Sequence, residues 1–343
     1  MRIVFMGTPD FAVPSLRALV QEGHQILGVF TQPDRPAGRG KQPKASPVKV
    51  AAEELGLTVW QPEKIITPEV LALINTLAPE LIVVVAYGKK LPSEILSLPP
   101  KGCLNVHASL LPAYRGAAPI HWAVINGETQ TGVTIMLMDE GLDTGDMLLK
   151  EVCPISQQAS TGEIHDSLAD MGGALLLQAI KAWAQGDLQA VAQLGESSYA
   201  PLLKREHEWL DWSRSAVDLH NQIRGLNPWP GAVTTYQGEN IKVWQSSLVN
   251  QPFGQQTTNL NKQDSSNELV SVAKDDLTFG DLPKVNSVQK FGKVLRIVDQ
   301  GIIIETGKGQ ILLRQVQPAG KRIMPARDFF LGRHGQIGEL LAT

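Results

Sequence analysis

The chain has 343 residues, of which 43% are hydrophobic, so it is long enough for two domains with packed cores. Its net charge of −3 excludes a strongly basic or acidic protein, although residues 1–200 carry 14 basic and 20 acidic side chains and residues 201–343 carry 17 and 14. Two cysteines are too few for a disulfide framework. The sequence shows no signal peptide and no apolar run of the roughly 20 residues that cross a bilayer. We therefore expect a cytoplasmic protein.

The first half of the chain alternates short apolar runs with amphipathic segments. The unbroken run Leu81–Val85 is typical of a central strand that is covered on both faces. Such an alternation predicts an α/β fold with a Rossmann-like, doubly wound parallel sheet. We predict strands at Arg2–Met6, Ile26–Thr31, Leu81–Val85 and Cys103–Val106, a further apolar run at Val133–Met138, and helices at about 14–22, 47–56, 68–77 and 160–186.

The pattern changes after about residue 204. One helix, at 213–226, is followed by short strands between turn residues, which favours a small β-barrel. We predict domains at 1–189 and 207–343, a linker at 190–206, and a flexible insertion at about 250–290, where Gln, Asn, Ser and Asp show no periodicity. The barrel strands are predicted at 232–236, 241–244, 293–298, 301–305 and 310–316.

The polar residues near the end of the fourth strand form a candidate site. Asn105 and His107 are two residues apart, so their side chains point to the same face of a strand. A glycine-rich acidic turn follows the run at 133–138, and it could bring Asp143 to His107. The plainer alternatives are a structural histidine and an aspartate that serves only its own turn.

The turn after the first strand argues against one class of cofactor. Gly7-Thr8-Pro9-Asp10 lacks the glycines that let a pyrophosphate approach the backbone, so we do not expect a nicotinamide cofactor.

The candidate site belongs to a longer pattern, Asn105-x-His107-x-Ser109-Leu110-Leu111-Pro112-x-x-x-Gly116 with Asp143 following. This pattern resembles the signature of the folate-dependent formyltransferases, and further blocks along both halves match the branch that acts on an aminoacylated tRNA. Those blocks begin at Gly7, Gln32, Ala86, Arg115, Gly141, Asn227 and Gln317. The resemblance implies that a catalytic formyltransferase domain precedes an OB-like barrel. It also implies transfer of a formyl group from 10-formyltetrahydrofolate to the amino group of methionine on initiator tRNA, without a metal.

The same resemblance assigns roles to residues of the first domain. Formyl transfer passes through a tetrahedral oxyanion, which Asn105 and a protonated His107 would stabilise while Asp143 favours the charged imidazole and shuttles a proton. The folate pocket would be shaped by Ser109, Leu110, Leu111 and Pro112, and the pterin walled by Ala86, Tyr87, Gly88 and Asp139.

Basic residues mark a candidate tRNA surface. Between Arg35 and Glu53 the chain has five basic residues and no acidic one, within a Gly- and Pro-rich stretch. Cations there would neutralise phosphates of the acceptor end. The resemblance places Arg39 and Lys41 at the tRNA. Arg35 and Lys44 belong to the same basic stretch, and Lys321 and Arg322 of the barrel could extend the surface. We expect a monomer.

Two alternative functions remain open on the sequence. The same chemistry could serve another acceptor: glycinamide ribonucleotide, another small amine, an amino-sugar nucleotide, or water in a formyl-folate hydrolase. A different class would be a non-catalytic RNA-binding protein with a decayed enzyme domain, against which the intact set of Asn105, His107 and Asp143 argues.

Overall fold

The computed structural model describes residues 1–37, 42–249 and 291–342. The predicted tRNA contacts Arg39 and Lys41 and the predicted insertion at 250–290 lie outside the described residues. The elements of the first half are β1 Arg2–Gly7, α1 Val13–Gln21, β2 Gln25–Phe30, β3 Arg35–Ala37, β4 Gln42–Lys44, α2 Pro47–Glu54, β5 Val59–Trp60, α3 Pro68–Leu77, β6 Leu81–Val85, α4 Ser93–Leu96, β7 Cys103–His107, β8 Arg115–Gly116, α5 Pro119–Ile125, β9 Gln130–Leu137, β10 Met147–Pro154, α6 Thr161–Gln185 and β11 Tyr199–Ala200.

A seven-stranded sheet in the order β10-β9-β7-β6-β1-β2-β5 forms the centre of this half. Five neighbouring strands are parallel, as predicted: β7, β6, β1, β2 and β5. At one edge of the sheet, β9 pairs antiparallel with β7 and with β10. Both faces of β6 are covered, since all five of its residues are buried. The Rossmann-like prediction is therefore confirmed, with an antiparallel edge that the sequence did not reveal.

Side-chain caps set the starts of α2, α3 and α6. Ser46 and Thr67 each accept a hydrogen bond from the backbone N–H three residues later, and a proline follows each at the first helical position. At the start of α6, Ser160 and Glu163 form a reciprocal capping box. The helix ends at Gly186, which has a φ of 80°. These signals explain why the predicted helix bounds agree with the structure to within a few residues.

The second half forms a six-stranded antiparallel sheet in the order β12-β13-β16-β15-β14, with β17 paired to β16. The chain's last described segment adds to this sheet, because Ala342 pairs with Thr235 on β12 and Leu340 with Lys293 just before β14. The prediction of a second domain built from short β-strands is confirmed, and the strands of its sheet are antiparallel. Its elements are α7 Ala216–Gly225, β12 Ala232–Tyr236, β13 Glu239–Leu248, β14 Val294–Val298, β15 Gly301–Glu305, β16 Gln310–Pro318, β17 Met324–Pro325 and α8 Ala326–Gly332.

A chain of edge-to-face rings joins the two halves. Trp229, from the loop before β12, packs against His121 of α5 at a centroid distance of 5.7 Å and against His165 of α6 at 5.4 Å. Phe11 also packs against His165, at a centroid distance of 5.4 Å. Burial lowers the pKa of His121 to about 4, and Nε2 of this ring has no hydrogen-bond partner within the described part of the chain.

We expect His121 to make stability depend on pH. The unfolded chain takes up a proton at this residue below about pH 6.5, whereas the folded chain does so only near pH 4, so acidification through this window favours unfolding. The free energy of unfolding should fall by about 2 kcal/mol from pH 7.5 to pH 5 on this account. Urea unfolding at pH 7.5 and at pH 5 measures this fall. His121→Phe should reduce the fall, and His334→Asn, at an exposed residue, should leave it unchanged. An equal fall in wild type and His121→Phe would contradict the assignment.

Candidate active site

Strand β7 presents Asn105 and His107 on one face of the sheet. Val106, between them, points to the opposite face, where a Cβ on Gly172 of α6 would stand 2.9 Å from it. His107 is buried, with 5% of its surface exposed, and Asn105 is half-buried. The Asn105 carboxamide has no hydrogen bond to any other residue in the described ranges, so its N–H₂ group is available to a ligand.

One nitrogen of the His107 ring forms a hydrogen bond, and the other forms none within the described part of the chain. Nε2 lies 3.0 Å from the carbonyl oxygen of Tyr114, and because a carbonyl only accepts, Nε2 carries the proton of this hydrogen bond. Nδ1 faces Asp143, with 3.7 Å between Nδ1 and Oδ1. That separation exceeds a direct hydrogen bond, so Nδ1 and Oδ1 are both able to bind a further group.

Asp143 is held in a strained turn by three polar contacts. Its φ of 53° lies in the left-handed region, which costs a non-glycine residue roughly 1 kcal/mol or more. Oδ2 accepts a hydrogen bond from the Gly116 amide at 2.8 Å. The Gln193 side chain donates to the carbonyl oxygens of Asp143 and Gly145, both at 2.8 Å. Arg115 in turn donates to Gln193 at 2.8 and 3.1 Å, which fixes the orientation of that carboxamide.

The antiparallel direction of β9 determines where the turn that carries Asp143 begins. Leu137, at the end of β9, lies opposite Leu104, near the beginning of β7. The turn therefore starts at the far end of β7 from His107 and must fold back to bring Asp143 to the imidazole. Gln193, which anchors the fold-back, lies within the predicted linker, where no residue pattern marked it as functional.

Asp139 sits at the start of the same turn and organises it. Its carboxylate accepts hydrogen bonds from the Gly141 amide at 2.9 Å and from the Thr144 hydroxyl at 2.7 Å. Gly145 closes the turn against the preceding strand, since a Cβ there would stand 1.8 Å from the carbonyl oxygen of Leu137. The structure thus shows a turn-building contact for Asp139, an exposed residue that the sequence assigned to folate.

The segment after β7 is fixed by buried polar contacts. Ser109 is fully buried and donates its hydroxyl proton to the carbonyl of Ala113 at 2.6 Å. The Thr134 hydroxyl bridges the loop, donating to the Ser109 carbonyl at 2.7 Å and accepting from the Leu111 amide at 3.2 Å. Leu111 is buried, while Leu110 and Pro112 are half-buried. Ser109 therefore acts on the shape of the loop and is not a free nucleophile.

The strand end at Ala86, Tyr87 and Gly88 makes a left-handed turn, with φ values of 46° at Ala86 and 84° at Gly88. The Tyr87 carbonyl accepts from the Thr8 hydroxyl at 3.0 Å and the Gln32 amide at 3.1 Å. Its ring is buried, which raises the pKa of the phenol to about 12. Ala86 and Gly88 are exposed and have no bulky side chain, so a ligand has room to approach the backbone of this turn.

The basic segment contributes two exposed cations among the described residues. Arg35 and Lys44 face each other across the β3–β4 hairpin. Lys49 does not add to this surface, because its ammonium pairs with Asp34 at 2.7 Å. That hydrogen bond lowers the pKa of the Asp34 carboxyl.

Lys321 and Arg322 are exposed at the turn after β16. The structure therefore places the predicted cations on separate domains, Arg35 and Lys44 on one and Lys321 and Arg322 on the other. In residues 1–37, 42–249 and 291–342, no group of three or more His, Cys, Asp or Glu side chains is arranged to hold a metal ion.

Comparison with known proteins decides the family. The profile described as "Formyl transferase" matches residues 1–180, and that described as "Formyl transferase, C-terminal domain" matches residues 202–334. The chain belongs to the formyl transferase family. A methionyl-tRNA formyltransferase of Pelotomaculum thermopropionicum is 47% identical over 97% of this chain and 96% of its own length.

Two solved structures share the fold. An N-formyltransferase from Helicobacter canadensis, in complex with folinic acid and dTDP-3-aminofucose, has a TM-score of 0.59 at 16% identity and covers 91% of this chain and 98% of its own. HypX from Aquifex aeolicus, in complex with tetrahydrofolic acid, has a TM-score of 0.58 at 18% identity over 96% of this chain. This chain spans about half of HypX, 47% of its length. The sequence-based predictions of family and fold are confirmed.

Proposed function

We propose that this formyl transferase moves the formyl group of 10-formyltetrahydrofolate to the α-amino group of methionine esterified to initiator tRNA, which supplies formylmethionyl-tRNA for translation initiation. The curated relative of 47% identity is named for this reaction and matches over nearly the full length of both chains. The observation that carries the proposal is the free Nδ1 of His107, facing Asp143 beside the unpartnered carboxamide of Asn105.

Each of these three side chains has a role that its geometry permits. Asn105 donates through its N–H₂ group to the formyl oxygen as negative charge develops there; one such donor is worth roughly 3 kcal/mol in comparable sites. His107, in its protonated form, donates from Nδ1 to the formyl oxygen, because Nε2–H already donates to the Tyr114 carbonyl. Asp143 takes the proton that the attacking amine releases, directly or through a water, and returns it to the folate nitrogen as the bond from that nitrogen to the formyl carbon breaks. Formyl transfer needs no covalent bond to the enzyme in this scheme.

The donor pocket lies around the same strand ends in this proposal. Leu110, Leu111 and Pro112 line it on a loop that Ser109 holds in shape, and the open turn at Ala86–Gly88 borders the pterin together with the turn that Asp139 builds. Folate-bound relatives of the same fold support a folate as the donor. The chain's own residues bind and orient this donor, which itself supplies the activated formyl group.

Cations on both domains form the tRNA surface in this proposal. Arg35 and Lys44 extend from the β3–β4 hairpin, and Lys321 and Arg322 extend from the barrel. Arg39 and Lys41 stay predicted tRNA contacts on the sequence alone. All four described cations are exposed, as phosphate contacts require.

Three further expectations stay predictions. They are the division into domains 1–189 and 207–343 with a linker at 190–206, the monomeric state, and the cytoplasmic location. No helix in the described ranges could span a membrane.

The test is formyl transfer from 10-formyltetrahydrofolate to methionyl-tRNA, with free methionine as the parallel acceptor. We expect rapid transfer to the charged tRNA and none to methionine, because the basic surfaces act only on a polyanion. Formyl-folate hydrolysis, or transfer only to a small amine or an amino-sugar nucleotide, would contradict the acceptor assignment. Binding of tRNA without any folate turnover would instead indicate an RNA-binding protein.

A further inference from the structure

A cavity of about 520 Å³ lies in the second domain, apart from the Asn105–His107 site. The 3₁₀ turn Arg205–Glu208 and the following Trp209 form one wall, and strands β12 and β13 with the turn after β16 form the other. This volume is within the range of about 300–1,000 Å³ that is usual for small-ligand sites. The mechanism proposed above does not use this cavity.

Two glutamines hold the opposite walls in place. The Gln317 side chain accepts from the Trp244 indole at 3.0 Å and donates to the carbonyl of Lys321 at 2.9 Å, which braces the turn on the barrel side. The Gln222 side chain donates to the carbonyls of His207 and Trp209, both at 2.9 Å, which braces the other side. The cavity is therefore preformed, and a ligand would not need to order its walls.

The lining combines a flat apolar surface with three kinds of polar group. Trp209 offers apolar area, and Asn240 offers both a donor and an acceptor. Glu208 is the lining carboxylate and only accepts when ionised. Arg205 is exposed and is in no ion pair with another described residue. Such a lining is complementary to a ligand that carries a flat ring, an amino group and an anionic group.

We propose that this cavity binds one unstacked nucleotide of the tRNA, with its base against Trp209, its exocyclic amino group donating to Glu208, and its phosphate at Arg205. Unpaired bases are the parts of RNA that proteins read by stacking and by their edges. The carboxylate acceptor favours cytosine, which has an amino group, over uracil, which has a carbonyl at that position. This assignment rests on the proposed function, because the nucleotide belongs to the tRNA that accepts the formyl group.

Calorimetric titration of the full chain with CMP and with UMP tests the assignment. We expect saturable CMP binding that is at least fivefold tighter than UMP binding. Glu208→Gln should remove the preference, and Arg205→Ala and Asn240→Ala should weaken CMP binding severalfold. Arg314→Ala, a loss of charge at an exposed position outside the cavity, should leave it unchanged. The same three cavity variants should raise KM for methionyl-tRNA without changing kcat.

The outcomes separate this assignment from the proposed function. Formyl transfer to methionyl-tRNA, with equal CMP and UMP affinities in wild type and unchanged KM in all three variants, would overturn the cavity assignment alone. Selective CMP binding that Glu208→Gln removes, without any formyl transfer, would overturn the proposed reaction and support a nucleotide site. If Arg314→Ala raised KM for methionyl-tRNA as much as Arg205→Ala, the effect would come from a general loss of positive charge, and the cavity assignment would be overturned.

Discussion

Replacing His107 with alanine is expected to lower kcat for formyl transfer by about 10²–10⁴-fold, the usual contribution of a positioned acid–base group. The free nitrogen Nδ1 faces Asp143, so its loss removes the group that links the formyl oxygen to the proton acceptor. The affinity for tRNA should stay unchanged, because His107 is buried and the proposed tRNA cations are exposed elsewhere. Single-turnover kinetics at saturating tRNA, with a separate tRNA-binding measurement, check both expectations.

The control must separate chemistry from folding. His107→Ala also deprives the Tyr114 carbonyl of its donor, and such a loss costs about 1–3 kcal/mol of stability. His107→Gln provides an amide donor for that carbonyl and removes only the imidazole. A slow, stable His107→Gln enzyme would support the catalytic role, whereas near-normal turnover with a weakened tRNA complex would show that His107 serves binding.

Local sequence signals were sufficient for most of the fold. The buried run at Leu81–Val85, the capping serines and threonine, and the glycine after α6 each act within a few residues, so a single sequence reveals them. The same is true of Asn105 and His107, whose shared face follows from a spacing of two residues. These parts of the prediction depended on no contact between distant segments.

Apart from the approach of Asp143 to His107, contacts between distant segments were not predicted. The antiparallel pairing of β9 with β7 depends on the partner strand, and an apolar run contains no information on direction. Gln193 reaches Asp143 across fifty residues, from a stretch without periodicity. Lys49, one of the five basic residues of that segment, pairs with Asp34, because the first turn of α2 lies next to the preceding loop.

Replacing Asp143 with asparagine is expected to lower kcat by about 10²–10³-fold while leaving the turn intact. The asparagine oxygen can still accept from the Gly116 amide, so the change removes the negative charge and the proton acceptor and little else. A matched variant in the same turn is Asp139→Asn, whose oxygen can still accept from Gly141 and Thr144. We expect at most a few-fold effect there, and single-turnover rates of the two variants measure the difference.

Gln193→Leu distinguishes the charge of Asp143 from its position. This variant keeps the carboxylate but leaves the carbonyls of Asp143 and Gly145 without their donor, so the left-handed conformation of Asp143 loses support. An intermediate loss of about tenfold in kcat, with little change in KM for tRNA, is expected, since a shift of an ångström at a reacting group has large effects on rate. If Asp143→Asn were nearly as active as wild type while Gln193→Leu and Asp139→Asn were slow, the turn would serve to shape the pocket, and the proton would have to leave by another group.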